Sequence, residues 1–282
     1  MIRRTGTPSC PQAMLGMASA AALLLAATSV EASPSGANGP DWALGHPAGE
    51  AVVGGISALS LLAAALPQRA GAWGPSQVRP QDESVGFVSD FTGAVIGTAW
   101  QLAGGYGLEV SYYREHQVPD AYRRAWRSTL VDAESALLGL GMTYALKRLV
   151  GRCRPRAWRV DSNGAGRCDP ERPEHDAFPS GHTVTVSSIA GARLVLAGRS
   201  DGASSARYGS LAFAEAASVL TGVLRVLAGA HSWEDVVGAY ALGHAAGVLV
   251  AFTHPMVAAP DRVQTSTPSL APATAVQWSG RF

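Results

Sequence analysis

Six apolar, glycine-broken stretches, none with the alternation of a strand, limit what this chain can fold into. They fall at about 50–66, 88–110, 120–150, 180–198, 207–229 and 232–253, each bounded by Pro, Gly or charged residues of the kind that end a helix. The apolar residues are mostly Ala, Leu, Val and Gly, which suits closely packed helices. The expectation is an all-α fold with a six-helix core bundle. The longest connection, 154–178, is polar and long for a loop inside a bundle, and such loops are usually functional or disordered.

The flanks read differently from the core. Arg3 and Arg4 precede an apolar stretch from Met14 to Ala27, and Val30-Glu31-Ala32 follows with small residues at alternate positions. That order predicts a signal peptide over 1–32, with an uncleaved anchor as the alternative. Residues 33–49 read as a flexible linker, 50–257 as the helical domain and 258–282 as a low-complexity tail. Beyond the leader, the only cysteines are Cys153 and Cys168. In an exported protein such a pair is expected to join as a disulfide; two free thiols or half of a metal site are the other readings, and no second Cys or His cluster at zinc spacing accompanies them.

A formal net charge of +1 and the lack of any basic or acidic run leave nothing that marks a nucleic-acid or acidic-polymer binder, so no nucleic-acid partner is expected and other partners are not readable from charge. Several helical stretches approach the length of a membrane span, yet they carry Asp132, Glu134, Arg193, Glu215, Arg225 and His244. A cleaved leader followed by six spans would also leave the polar loop and its cysteines facing the cytoplasm. The preferred expectation is therefore a soluble or surface-associated bundle, periplasmic or secreted, with an integral membrane protein as the alternative.

Three short stretches hold residue types suited to phosphate chemistry, each at an expected helix end. Lys147 and Arg154 are seven apart, hence on one helical face two turns from each other, and Pro155 ends the element. Alone, a cationic helix end reads equally as dipole compensation. Phe178-Pro179-Ser180-Gly181-His182 opens the fourth helix, where Ser180 suits an N-cap and exposed amides bind an oxyanion. Arg225, His231 and Asp235 span the junction of the last two helices. Asp235, four residues after His231, can orient the imidazole or, with Ser232, simply cap the helix.

Taken together, the three stretches resemble the type 2 phosphatidic acid phosphatase family, which is related to bacterial non-specific acid phosphatases and vanadium haloperoxidases. That family's signature is Lys, six residues, Arg-Pro; then Pro-Ser-Gly-His; then Ser-Arg, five residues, His, three residues, Asp. Lys147, Arg154, Pro155, Pro179, Ser180, Gly181, His182, Arg225, His231 and Asp235 match it, and Leu224 stands where the family usually has Ser. The resemblance implies a metal-independent phosphatase with no cofactor, acting on a soluble or lipid phosphate monoester through a phosphohistidine intermediate. His231, positioned by Asp235, would be the nucleophile and His182 the proton donor; Lys147, Arg154, Arg225 and the backbone at Ser180 and Gly181 would hold the phosphate. A vanadate-dependent haloperoxidase and a membrane-embedded lipid phosphate or isoprenoid diphosphate phosphatase are the enzymatic alternatives, and a phosphate- or phospholipid-binding protein without turnover is the non-enzymatic one. His175, in the long loop, and His244, inside the last helix, read as solvated and packed residues respectively.

Overall fold

The computed structural model describes residues 41–42, 47–71, 73–76, 80–118, 120–171, 173–199, 205–254 and 256–257. The expected leader and C-terminal tail, and most of the linker, lie outside these residues. The described elements are β1 (Asp41–Trp42), α1 (Pro47–Ala64), α2 (Glu83–Phe91), a π-helical segment (Thr92–Trp100), α3 (Gln101–Glu115), α4 (Ala121–Val150), β2 (Trp158–Val160), β3 (Gly166–Cys168), α5 (Gly181–Gly198), α6 (Ser205–Leu227), α7 (Trp233–Thr253) and β4 (Met256–Val257). Because α2, the π segment and α3 run on without a break, the described residues form six helical rods, as the sequence suggests.

Each helix end has a local cause. Asp82 accepts from the Ser84 and Val85 amides, so the second rod begins at Glu83, earlier than the apolar pattern alone indicates, and it continues to Glu115. α4 stops at Gly151, whose φ of 61° is left-handed and whose amide closes on the Lys147 carbonyl. Ser232 and Asp235 cap α7 reciprocally.

α5 lies at the centre, packed on α4, α6 and α7. Its contact with α7 depends on missing side chains. A Cβ at Gly247 would lie 1.9 Å from the Ser188 carbonyl oxygen, and one at Gly191 would lie 2.5 Å from that of His244. Around this seam Val131, Leu138, Ala192, Leu196, Ala246 and Val250 form the core. The rods alternate in direction, so the C-termini of α1, α4 and α6 and the N-termini of α2, α5 and α7 gather at one end. The Arg69 amide reaches the Arg148 carbonyl there, the Ser180 amide that of Asp235, and Arg225 the Ser89 hydroxyl. At the other end β1 pairs antiparallel with β4.

The polar loop 154–178 is folded. A Cys153–Cys168 disulfide pins it, and β2 and β3 form an antiparallel hairpin whose turn is held by Asp161 accepting from the Asn163 and Ala165 amides. Strands of three residues are too short to leave an alternating pattern, which is why the sequence does not announce them.

The distribution of polarity differs from the expectation of a soluble bundle. Asp132 and Arg193, which argued against spanning helices, face inward: Glu109, Asp132, Arg193 and Arg207 form a buried ion-pair cluster. Outward, the second rod exposes Phe87, Phe91, Val95, Ile96, Trp100 and Leu108, and α6 exposes Tyr208, Phe213, Val219, Leu220 and Leu227. Patches this large on a protein surface mark contact with a partner or with lipid. α6 and α7 are long and apolar enough to cross a membrane. These features support the integral membrane alternative over the soluble one.

Candidate active site

The helix ends that meet at one end of the bundle enclose a cavity of about 460 Å³. Of the sequence-predicted residues, Lys147, Arg154, Gly181, His182, Arg225 and His231 line it. Ser180 and Asp235 are fully buried behind that wall. The Ser180 amide donates to the Asp235 carbonyl, 3.2 Å away, which ties the start of α5 to the start of α7. His182 follows in the first turn of α5, while the alternation of the rods brings Lys147 and Arg225 in from the last turns of α4 and α6.

His231 is almost fully buried, and its Nδ1 lies 2.7 Å from the Ala177 carbonyl oxygen. A carbonyl only accepts, so Nδ1 carries the hydrogen and Nε2 is left as a lone pair on the cavity side. Asp235, expected to orient this ring, stands 3.9 Å from Nδ1. Its carboxylate accepts instead from the Ser232 amide at 2.8 Å, the Ser232 hydroxyl at 2.9 Å and Arg152 Nη1 at 3.0 Å. Of the two roles the spacing left open, capping is the one with direct hydrogen bonds. Burial, reinforced by Arg154, Lys147 and Arg225, holds the His231 imidazolium pKa well below its ordinary value, against a smaller upward push from the Ala177 contact. His231 is therefore neutral at pH 7.

Two carboxylates unforeseen from sequence balance the cations. Asp176 takes a fork from Arg154, Nε and Nη2 each at 2.7 Å, and Lys147 Nζ donates to the Asp176 backbone carbonyl at 2.6 Å. Burial pushes the Asp176 carboxyl up, but Arg154 and Lys147 together hold it well below the usual carboxylate range. Asp90, at the end of α2, pairs with Arg225 and lies 3.8 Å from His182 Nε2. Arg152, also missed, is buried behind the site between Asp235 and the face of Trp73, whose ring centre lies 4.6 Å from the guanidinium carbon. Charge balance within the polar loop could have drawn attention to Asp176; Asp90 carries no sequence signal at all.

The π segment supplies Gly93 and Thr98 to the cavity wall. A Cβ at Gly93 would lie 2.8 Å from His182 Cδ2, so only glycine leaves room for the imidazole. π-Helical turns are rare and concentrate at functional sites, in keeping with this position. Of the remaining histidines, His175 Nδ1 rests 3.2 Å from the Gly151 carbonyl and His244 is bonded to the Tyr240 carbonyl and Glu215, so neither joins the cavity wall.

Residues 131–257 match the family model of the PAP2 superfamily. That segment is a PAP2-superfamily domain. The matched span runs from within α4 to β4 and includes all three motifs, so the cavity of this PAP2 domain is built largely from matched sequence, with Gly93 and Thr98 of the second rod added from outside it. No curated protein matches the chain. Among solved structures, the crystal structure of the first transmembrane PAP2 type phosphatidylglycerolphosphate phosphatase from Bacillus subtilis is similar, at 19% identity over 85% of this chain and 92% of that one, with a TM-score of 0.37. That likeness is too loose to transfer residues from one chain to the other.

Proposed function

We propose that this PAP2 protein is a membrane-embedded phosphatase that hydrolyses phosphate monoesters, with lipid phosphates as its substrate class, through a phosphohistidine on His231. The observation that carries the reading is the neutral imidazole of His231, its Nδ1 hydrogen engaged by Ala177 and its Nε2 facing a cavity walled by Lys147, Arg154 and Arg225. A lone pair directed into a cationic, partly enclosed pocket suits attack on phosphorus better than it suits simple anion binding.

In the first half-reaction Nε2 of His231 bonds to phosphorus as the bond to the leaving oxygen breaks, and His182, which takes up a proton once the phosphate dianion joins Asp90 beside it, gives that proton to the leaving oxygen. In the second, His182 takes a proton from water, whose oxygen displaces the histidine and regenerates the neutral ring. The three cations and the backbone at the start of α5 hold the non-bridging oxygens, whose charge grows towards the transition state. Asp235 and Arg152 fix the α7 terminus that carries His231. In this reading these side chains supply the charge stabilisation, and activity persists in EDTA.

The lipid preference follows from where the cavity sits. It lies at the helix ends, where exposed Phe91 adjoins Asp90 and exposed Leu227 closely follows Arg225, so apolar surface reaches the level of the site, as contact with a bilayer's headgroup phosphates requires. The test is phosphate release in EDTA by the full chain in detergent or nanodiscs, from an aryl phosphate and from a lipid phosphate, for wild type and His231→Ala. Turnover of the lipid that His231→Ala abolishes is expected. Turnover that survives His231→Ala, or that EDTA removes, would contradict the proposal, and a chain that is soluble without detergent and acts only on the aryl ester would contradict its membrane part.

A further inference from the structure

A second cavity, of about 510 Å³, lies between α3 and α6. It neighbours the first along the second rod, for Thr98 lines the one and Trp100 and Gln101 the other. Between them the rod touches α5: a Cβ at Gly97 would lie 2.6 Å from Val186 Cγ2, so the two cavities are walled apart. Its rim carries Trp100, Leu108 and Phe213, all exposed on the apolar faces of the two helices, so it opens sideways towards lipid.

Gln101 lines this space. It is 4% exposed, and its amide nitrogen and oxygen are both buried without a hydrogen-bond partner. A buried carboxamide in a native fold is nearly always satisfied, by protein or by ordered water, so an unpaired one on a cavity wall marks a place where an occupant of the cavity can complete it. Arg193 also lines the cavity, but it is paired with Asp132 and Glu109, and Glu109 takes Arg207 as well. Two cations against two carboxylates leave no net charge to recruit an anion or a cation. The ligand must be neutral at its polar end, offer both a donor and an acceptor, and be apolar elsewhere, because most of the lining is apolar.

We infer that this cavity binds a neutral membrane amphiphile of the diacylglycerol type, with a hydroxyl and an ester carbonyl meeting the Gln101 amide and an acyl chain leaving past Trp100 and Phe213 into the bilayer. The inference rests on the membrane reading above and is independent of the phosphatase reading.

The test uses the full chain in nanodiscs and dioctanoylglycerol bearing a diazirine in one acyl chain, with labelled residues mapped by mass spectrometry. Saturable labelling of α3 and α6 around Gln101 is expected, suppressed by unlabelled dioctanoylglycerol and not by tetradecane. Gln101→Leu, which removes the unpaired amide, lowers that labelling about tenfold. Gly107→Leu fills the cavity from a position where a Cβ meets nothing within 4 Å, and it lowers the labelling similarly. Neither change alters hydrolysis of a small aryl phosphate, which reports on the phosphatase reading separately. Labelling that is unsaturable, equally suppressed by tetradecane, or unchanged in both variants overturns the inference.

Discussion

A backbone carbonyl only accepts a hydrogen bond, so the Ala177–His231 contact selects a tautomer as well as an orientation. No side chain at position 177 is needed for this, which is why the sequence pointed to Asp235 and not to the loop. Because the His231 pKa lies well below its ordinary value, the ring stays neutral as pH falls through 6.5. The acid limb of kcat/KM in the free enzyme is expected at clearly lower pH than the ~6.5 of an ordinary histidine, and a limb centred near 6.5 would count against the assignment. Asp176 makes the opposite kind of contribution, occupying the guanidinium that the substrate requires. Asp176→Asn removes a charged competitor for Arg154, and the inhibition constant of inorganic phosphate is expected to fall about threefold to tenfold, in line with a charge-assisted hydrogen bond partly offset by looser positioning. A rise in that constant would mean that Asp176 serves chiefly to aim Arg154.

At the scale of elements, the π segment and the α5–α7 seam are set by side chains that are missing. Gly93→Ala places a methyl against His182 and is expected to lower kcat at least tenfold with little change in melting temperature, a split that activity and thermal denaturation measured together would reveal. Gly247→Ala drives a methyl into the Ser188 carbonyl, and a loss of about 2–4 kcal/mol of stability is expected, in the range of severe overpacking. Helix periodicity gave away the six rods and the ends of most of them, because apolar runs and caps are local. The hairpin and the π segment were not legible, since three-residue strands have no period and a π turn differs from an α turn only in its hydrogen bonding. Lys147, Arg154, His182, Arg225 and His231 were legible because their spacing repeats a known signature. Asp90, Asp176 and Arg152 were not, because each acquires its role from a partner in another element.

Across the whole molecule, the inversion of polarity is the main departure from the sequence reading. Charged residues within a helix weigh against a membrane span only if they face outward, and a sequence does not say which way they face; here Glu109, Asp132, Arg193 and Arg207 neutralise one another inside. The disulfide loop lies at the candidate-site end, and in the proposed membrane reading that end faces an oxidising compartment, which with six spans requires the leader to stay uncleaved. Replacing both Cys153 and Cys168 by Ser is expected to cost up to about 3 kcal/mol from the freed loop, measured as a lower melting temperature in detergent. His231 and Asp176 respond to acid in the same direction. His231 is neutral when folded but takes up a proton when unfolded as pH falls below about 6.5, and Asp176 is ionised when folded but protonates in the unfolded chain near pH 4; both favour unfolding at low pH. The central claim is covalent chemistry at one imidazole, and it is tested most directly by rapid acid-free quenching of the enzyme during turnover of a lipid phosphate, followed by mapping of protein-bound phosphate. Phosphate on His231, absent in His231→Ala and accumulating further in His182→Ala with a good leaving group, is the predicted result; turnover with no phosphate on His231, or with phosphate on another residue, would contradict it.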